Sequence, residues 1–158
     1  MSSDPRVTNR SRLLLVEDDE DISAMLVETL LAAGYDVDRA SNGEEGMRRL
    51  KVGQPPKLIL LDWSMPVMNG PEMFAAMQRQ PAWRDLPVVL LTAHVDAKNK
   101  AIALRAGGYL KKPIDPDDLL RMVTALVREH TTLRLRRTAA DHLPIESASG
   151  TDDALIRS

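Results

Sequence analysis

Three short runs of consecutive apolar residues stand out from an otherwise mixed chain: Leu13–Val16, Leu58–Leu61 and Val88–Leu91. Uninterrupted runs of this length suit strands covered on both faces, the habit of parallel sheets. Asp36–Ala40 and Tyr109–Lys111 are weaker strand candidates. Between the runs the apolar period changes to that of a helix. Ile22, Met25, Leu26, Thr29 and Leu30 follow i, i+3, i+4, i+7, i+8 and stop at Gly34, a helix terminator. A second helix is predicted over Gly43–Val52, ended by Gly53 and Pro55-Pro56. A third spans Pro71–Gln80, with the proline in the first turn, where a missing N–H costs little. A fourth covers Ala97–Ala106 before Gly107-Gly108, and the last begins near Asp115-Pro116 and continues past Val127. Strand and helix thus alternate through the chain, which predicts an α/β three-layer sandwich with helices on both faces of a parallel sheet. Its crossovers should be right-handed, and its ligand site should lie at the carboxyl ends of the strands.

Composition narrows this picture. At 158 residues the chain is expected to form one domain with a real core. Only five aromatics occur, so Leu, Val, Ile, Ala and Met must fill that core. The absence of cysteine excludes disulfides and thiolate metal sites. A net charge of −2 offers no global attraction for nucleic acid or an acidic membrane. No apolar run approaches the ~18–20 residues of a membrane helix, and Met1–Arg12 lacks the apolar stretch of a secretory signal, so a cytoplasmic location is expected. Ser2–Ser11 and Ala139–Ser158 have the composition of tails. The expected division is an N-terminal tail at 1–11, a folded domain at 12–127, and a helix extension with a C-terminal tail at 128–158. No folded DNA-binding output domain is expected within the residues beyond Val127.

The candidate chemistry lies directly after the strands. Glu17, Asp18, Asp19, Glu20 and Asp21 follow the first run, Asp62 the second and Thr92 the third, while Lys111, Lys112 and Pro113 follow Leu110. Parallel strands bring all of these to one sheet edge. Carboxylates crowded there repel one another unless a cation joins them. Oxygen ligands without Cys or His favour a hard ion, Mg²⁺ or Ca²⁺. A nearby lysine and threonine suit phosphate oxygens, and one carboxylate could itself be a nucleophile, forming an aspartyl-phosphate. The bland alternatives are ordinary: an acidic helix cap, a buried strand threonine and a surface lysine. Asp19 and Asp21 are expected to cap the first helix.

Five segments in order resemble the receiver domain of response regulators in two-component signalling: Leu-Leu-Val-Glu-Asp-Asp at 14–19, Leu-Leu-Asp-Trp-Ser-Met-Pro at 60–66, Met-Asn-Gly at 68–70, Leu-Thr-Ala at 91–93 and Tyr-Leu-Lys-Lys-Pro at 109–113. The resemblance covers about Arg12–Val127. It implies a flavodoxin-like (βα)5 fold with strand order 2-1-3-4-5, an order for which the flavodoxin-like fold and a chemotaxis receiver are general examples. It implies that Asp62 is the phosphoacceptor and that Mg²⁺ is held by Glu17, Asp18, Asp62 and the backbone carbonyl of Ser64. Counting back from Ile22 selects Glu17-Asp18 over Asp18-Asp19 as the acidic pair, with Asp18 binding the ion directly and Glu17 largely through water. Thr92 resembles the hydroxyl that moves towards the phosphoryl group, and Lys112 the lysine that pairs with phosphate, with Lys111 pointing away. Lys112–Pro113 is expected to be cis. Tyr109 resembles the switching aromatic, with simple packing as its alternative. The Thr92–Tyr109 interval is a couple of positions shorter than the family pattern, around Gly107-Gly108.

The implied function is that of a single-domain response regulator. It would take phosphate from a sensor histidine kinase or phosphotransfer protein and signal by binding a downstream protein; it would not be an enzyme acting on a separate substrate. Membrane and nucleic-acid partners are not expected. A Mg²⁺ phosphohydrolase is the enzymatic alternative, but the second acid such enzymes place two residues after the nucleophile is here Ser64. A phosphorylation-independent interaction module is the third reading. His94, His130 and His142 show no ligand spacing and are read as surface residues. Leu119, Val123, Leu126, His130 and Leu133 could form a short dimer seam, and Arg128, Arg134, Arg136 and Arg137 add a basic stretch; a solvated helix extension is the alternative for both.

Overall fold

A computed structural model describes residues 10–141. The greater part of both expected tails, and His142, fall outside these residues. Five strands, β1 (Arg12–Val16), β2 (Asp36–Ala40), β3 (Leu58–Asp62), β4 (Val88–Thr92) and β5 (Gly108–Lys111), alternate with α1 (Glu20–Ala32), α2 (Gly43–Leu50), α3 (Gly70–Gln78), α4 (Ala97–Leu104) and α5 (Pro116–Asp141). All strands are parallel and hydrogen-bonded in the order β2-β1-β3-β4-β5, as the family resemblance implied.

The apolar runs work because every side chain in them is covered. Leu13, Leu15, Leu58, Leu60, Val89 and Leu91 face α1 and α5, where Leu26, Leu30, Leu119 and Val123 meet them. Leu14, Val16, Ile59, Leu61, Val88 and Leu90 face the other way and pack with Leu50, Met73, Phe74, Met77 and Ala101 of α2, α3 and α4. Aliphatic residues and methionine carry both layers, as the scarcity of aromatics required. Full burial of a leucine is worth about 2 kcal/mol in transfer free energy, so these layers supply much of the driving force.

Several details correct the periodicity reading. In α1, Met25 is exposed, whereas Ser23 is buried and its hydroxyl accepts a hydrogen bond from Arg39 Nε at 3.0 Å. α2 ends at Leu50 and leaves Val52 exposed. α4 ends at Leu104 because Arg105 takes the left-handed cap conformation, φ 58°. In α5 the third buried position is Val127 rather than Leu126, and Leu133 is half exposed. α5 runs to Asp141, so Ala139–Asp141, read as tail, are helical. At 1.5 Å per residue its 26 residues span about 39 Å, well beyond the sheet. Tyr35 Oη pairs with Thr124 Oγ1 at 3.1 Å near its middle, and Arg137 reaches Asp85 at 3.4 Å near its far end.

Candidate functional site at the carboxyl edge of the sheet

Backbone hydrogen bonds carry the ladder one step past the strands and so fix the residues that follow them. Glu17 N–H donates to Ala40 O at 3.0 Å, Trp63 N–H to Leu91 O at 3.0 Å, and Lys112 N–H to Thr92 O at 2.8 Å. Asp19 caps α1, its carboxylate accepting from Asp21 N and Ile22 N; Asp21 lies in the first turn. Asn69 and Glu72 form a reciprocal capping box at the start of α3. Gly70 sits so close to β3 that a Cβ there would collide with the Asp62 carbonyl, which makes glycine necessary.

These constraints surround a cleft of about 330 Å³. Glu17, Asp18, Asp62, Ser64, Thr92 and Lys112 all line it, so of the site residues that the family resemblance implied only Tyr109 lies outside the cleft. Tyr109 packs half-buried against the layer shared with α3 and α4. Lys111 is exposed, and the Lys112–Pro113 bond is cis. Val67, in the loop after β3, has φ 67°, an uncommon state for a β-branched residue.

Electrostatics dominate the cleft. Lys112 Nζ donates to Glu17 Oε1 at 3.1 Å, and lies 3.0 Å from Glu17 Oε2 and 3.3 Å from Asp62 Oδ1. The contact with Oε2 is ionic only; that buried oxygen has no hydrogen-bond partner. Burial pushes the Asp62 carboxyl up to about 7, and the Glu17 charge adds to the rise, while Lys112 pulls it down. Burial lowers the Lys112 ammonium, but the Glu17 hydrogen bond and the Asp62 and Glu17 charges outweigh it, so its net pKa is raised. One ammonium therefore serves two buried carboxylates and satisfies neither fully.

Oxygen atoms of Glu17, Asp18 and Asp62 lie within 4.8 Å of one another. An all-oxygen donor set, an unpartnered buried Glu17 oxygen and an Asp62 carboxyl held against ionisation fit a small hard cation. Ser64 N–H donates to Asp62 Oδ1 at 3.4 Å, and Thr92 Oγ1 accepts from His94 N–H at 3.1 Å.

Trp63 lies partly exposed at the rim, as its place beside Asp62 suggests, but sequence reasoning did not foresee its partners there. His94 lies edge-on to Trp63 with ring centroids 6.4 Å apart, and Lys100 Nζ stands 4.3 Å from the Trp63 ring centre. No motif marks Lys100, because its partner lies far away in sequence; His94 was legible only as the residue two after Thr92.

A doubly wound parallel sheet with an acidic, lysine-bridged cleft at its carboxyl edge defines a flavodoxin-like domain with its candidate site at the ligand edge of the sheet. The response regulator receiver domain family matches residues 13–124, and the chain belongs to that family. It is 32% identical over 119 residues to the phosphate regulon transcriptional regulatory protein PhoB of Rhizobium meliloti, covering 74% of this chain and 52% of that protein. It is 36% identical over 119 residues to the DNA-binding dual master transcriptional regulator RpaA of Synechocystis, covering 74% and 49%. The chain thus spans about half the length of these regulators. The structure of the chemotaxis response regulator CheY4 of Vibrio cholerae matches with a TM-score of 0.69 and 31% identity, over 75% of this chain and 99% of that one. The chain is therefore a receiver domain of two-component signalling, a class that works with histidine kinases and phosphotransfer partners and generally binds Mg²⁺ in an acidic pocket. No described helix is long and apolar enough to cross a membrane.

Proposed function

We propose that Asp62 accepts a phosphoryl group from a phosphohistidine of a sensor kinase or phosphotransfer protein. A carboxylate oxygen of Asp62 attacks phosphorus in line with the P–N bond; the acyl phosphate forms as the histidine nitrogen leaves. The observation that carries this reading is the Lys112 ammonium lying between two buried carboxylates in an open cleft. It keeps a fraction of Asp62 ionised and nucleophilic despite burial, and can turn towards phosphoryl oxygens once they arrive. Mg²⁺, held by Glu17, Asp18, Asp62 and the Ser64 carbonyl, would neutralise charge and orient the incoming phosphoryl oxygens.

Phosphorylation adds about two negative charges at neutral pH. The hydroxyl of buried Thr92 is then drawn from its His94 N–H contact towards a phosphoryl oxygen. Tyr109, packed beside α4, follows into the space this frees, and the α4–β5 face shifts to a conformation that binds a downstream protein. Apart from gaining and losing its own phosphoryl group the chain is not an enzyme. A cytoplasmic location fits such a role, and a weak homodimer along α5 is a subsidiary reading.

The test is incubation with acetyl phosphate and Mg²⁺ followed by intact-mass measurement. A labile gain of about 80 Da that is absent in Asp62→Asn is expected. Failure of the wild-type chain to gain that mass across a Mg²⁺ titration would refute the proposal.

A further inference from the structure

The acidic site occupies one edge of the sheet. The opposite, amino edge carries a cleft of about 470 Å³ whose charge is reversed, lined by Arg10, Arg12, Lys57 and Arg134. Arg12 opens β1, and Lys57 immediately precedes β3. The Lys57 N–H donates to the Arg12 carbonyl at 2.8 Å, so the two bases start from adjacent strands. Arg12 is held in place: its Nε meets Asp38 Oδ2 at 2.9 Å, and its Nη2 donates to the Val52 carbonyl at 3.4 Å. The other wall is the part of α5 beyond the sheet. Thr131, Arg134, Leu135 and Thr138 fall at i, i+3, i+4 and i+7, one stripe of the helix, and all face the cleft.

The charge is not cancelled locally. Asp36 and Asp38 are engaged by Arg10 and Arg12, whereas neither Lys57 nor Arg134 has an ion-pair partner among the described residues. His130, one turn before Arg134, has its pKa lowered by burial first and then by the charges of Arg134 and Lys57, with Arg137 adding to them against Asp85. A positive potential therefore persists at this spot in a chain whose net charge is −2.

We propose that this cleft binds a nucleotide. Its phosphate chain would lie between Lys57, Arg134 and the guanidinium of Arg12, and its base along the apolar surfaces of Pro55 and Leu135, with the Gln54 amide available to the base edge. Arginine forks and a lysine point charge match phosphate oxygens, and the volume falls in the range of small-molecule sites, roughly 300–1,000 Å³. A longer nucleic acid fits poorly, because acids flank the cations: Asp36 and Asp38 on β2, and Asp85, paired with Arg137, before β4.

The test is calorimetric titration of the full chain at low salt with ATP, inorganic pyrophosphate, adenosine and a ten-residue deoxythymidine oligonucleotide, repeated with Lys57→Gln/Arg134→Gln. Saturable ATP binding at about 100 μM or tighter is expected. ATP should bind several-fold more tightly than pyrophosphate, adenosine should not bind, and the double variant should weaken ATP binding by about tenfold or more. Unchanged phosphoryl acceptance from acetyl phosphate checks that the variant is folded. No ATP binding up to about 1 mM, equal affinity for ATP and pyrophosphate, tighter binding of the oligonucleotide, or full affinity in the folded double variant would each overturn the assignment.

Discussion

Replacing Asp62 with asparagine should stabilise the metal-free protein at pH 8, although it removes the proposed reactive group. In the unfolded chain this carboxyl titrates near 3.8, whereas in the fold burial, with the Glu17 charge behind it, pushes it up to about 7 against the pull of Lys112. Between these values the native state binds more protons than the unfolded state. Stability therefore falls as pH rises from about 4 to about 7, and the loss persists above that. At about 1.4 kcal/mol per pH unit of that interval, the ionised carboxylate costs up to about 4 kcal/mol. Asparagine is nearly isosteric, carries no charge, and its oxygen can still accept the Ser64 N–H. Lys112 keeps its pairing with Glu17. Urea unfolding followed by circular dichroism in EDTA should show the variant more stable by about 1–4 kcal/mol at pH 8, with the gap falling below about 1 kcal/mol near pH 4.5. Excess Mg²⁺ should narrow the gap at pH 8 by stabilising the wild type, by about 2.7 kcal/mol at a hundredfold excess over its Kd. A variant no more stable than wild type at pH 8 in EDTA, or a gap that does not shrink on acidification, would refute the reasoning.

Gly70→Ala drives a methyl group into the Asp62 carbonyl and to 3.0 Å from Trp63 Cα; it should cost about 1–3 kcal/mol in urea unfolding and slow acetyl phosphate labelling. Val67→Asn places a residue that tolerates positive φ at an exposed strained position, and thermal melts should show roughly 0.5–1 kcal/mol of stabilisation. Mg²⁺ added at constant ionic strength should change the fluorescence of Trp63, which lines the acidic cleft, but not that of Trp83, which packs in the turn after α3. The response should survive Trp83→Phe and vanish in Trp63→Phe; the reverse pattern would place the ion elsewhere.

β1, β3 and β4 were legible because an apolar run buried on both faces leaves few polar residues inside it. The weak strand β2, with Asp36 and Asp38 in it, was recognisable mainly from its place in the alternation, since an edge strand needs little apolar surface. Helix ends were read too far: Arg105 stops α4 by adopting a left-handed backbone that nothing in its side chain announces. The carboxyl-edge cluster could be assembled because parallel strands leave their following residues on one side. The Lys100–Trp63–His94 contacts could not, because they depend on where α4 lies across the loop after β3. The amino-edge cleft was half visible as a run of arginines; its other half comes from residues far earlier in the chain, which only the fold brings beside α5.

β1 and β3 each carry a cation at or just before their start and a carboxylate at or just after their end: Arg12 and Glu17 on one, Lys57 and Asp62 on the other. Five extended residues set those ends roughly 17 Å apart. The two strands therefore act as parallel electrical dipoles in the middle of the sheet, in addition to any net charge. A charged partner approaching in dilute salt would feel a torque as well as a force, turning the acidic edge towards cations and the basic edge towards anions before contact. That alignment decays over a Debye length of about 8 Å at physiological ionic strength, so orientation, more than affinity, is what salt would erase first.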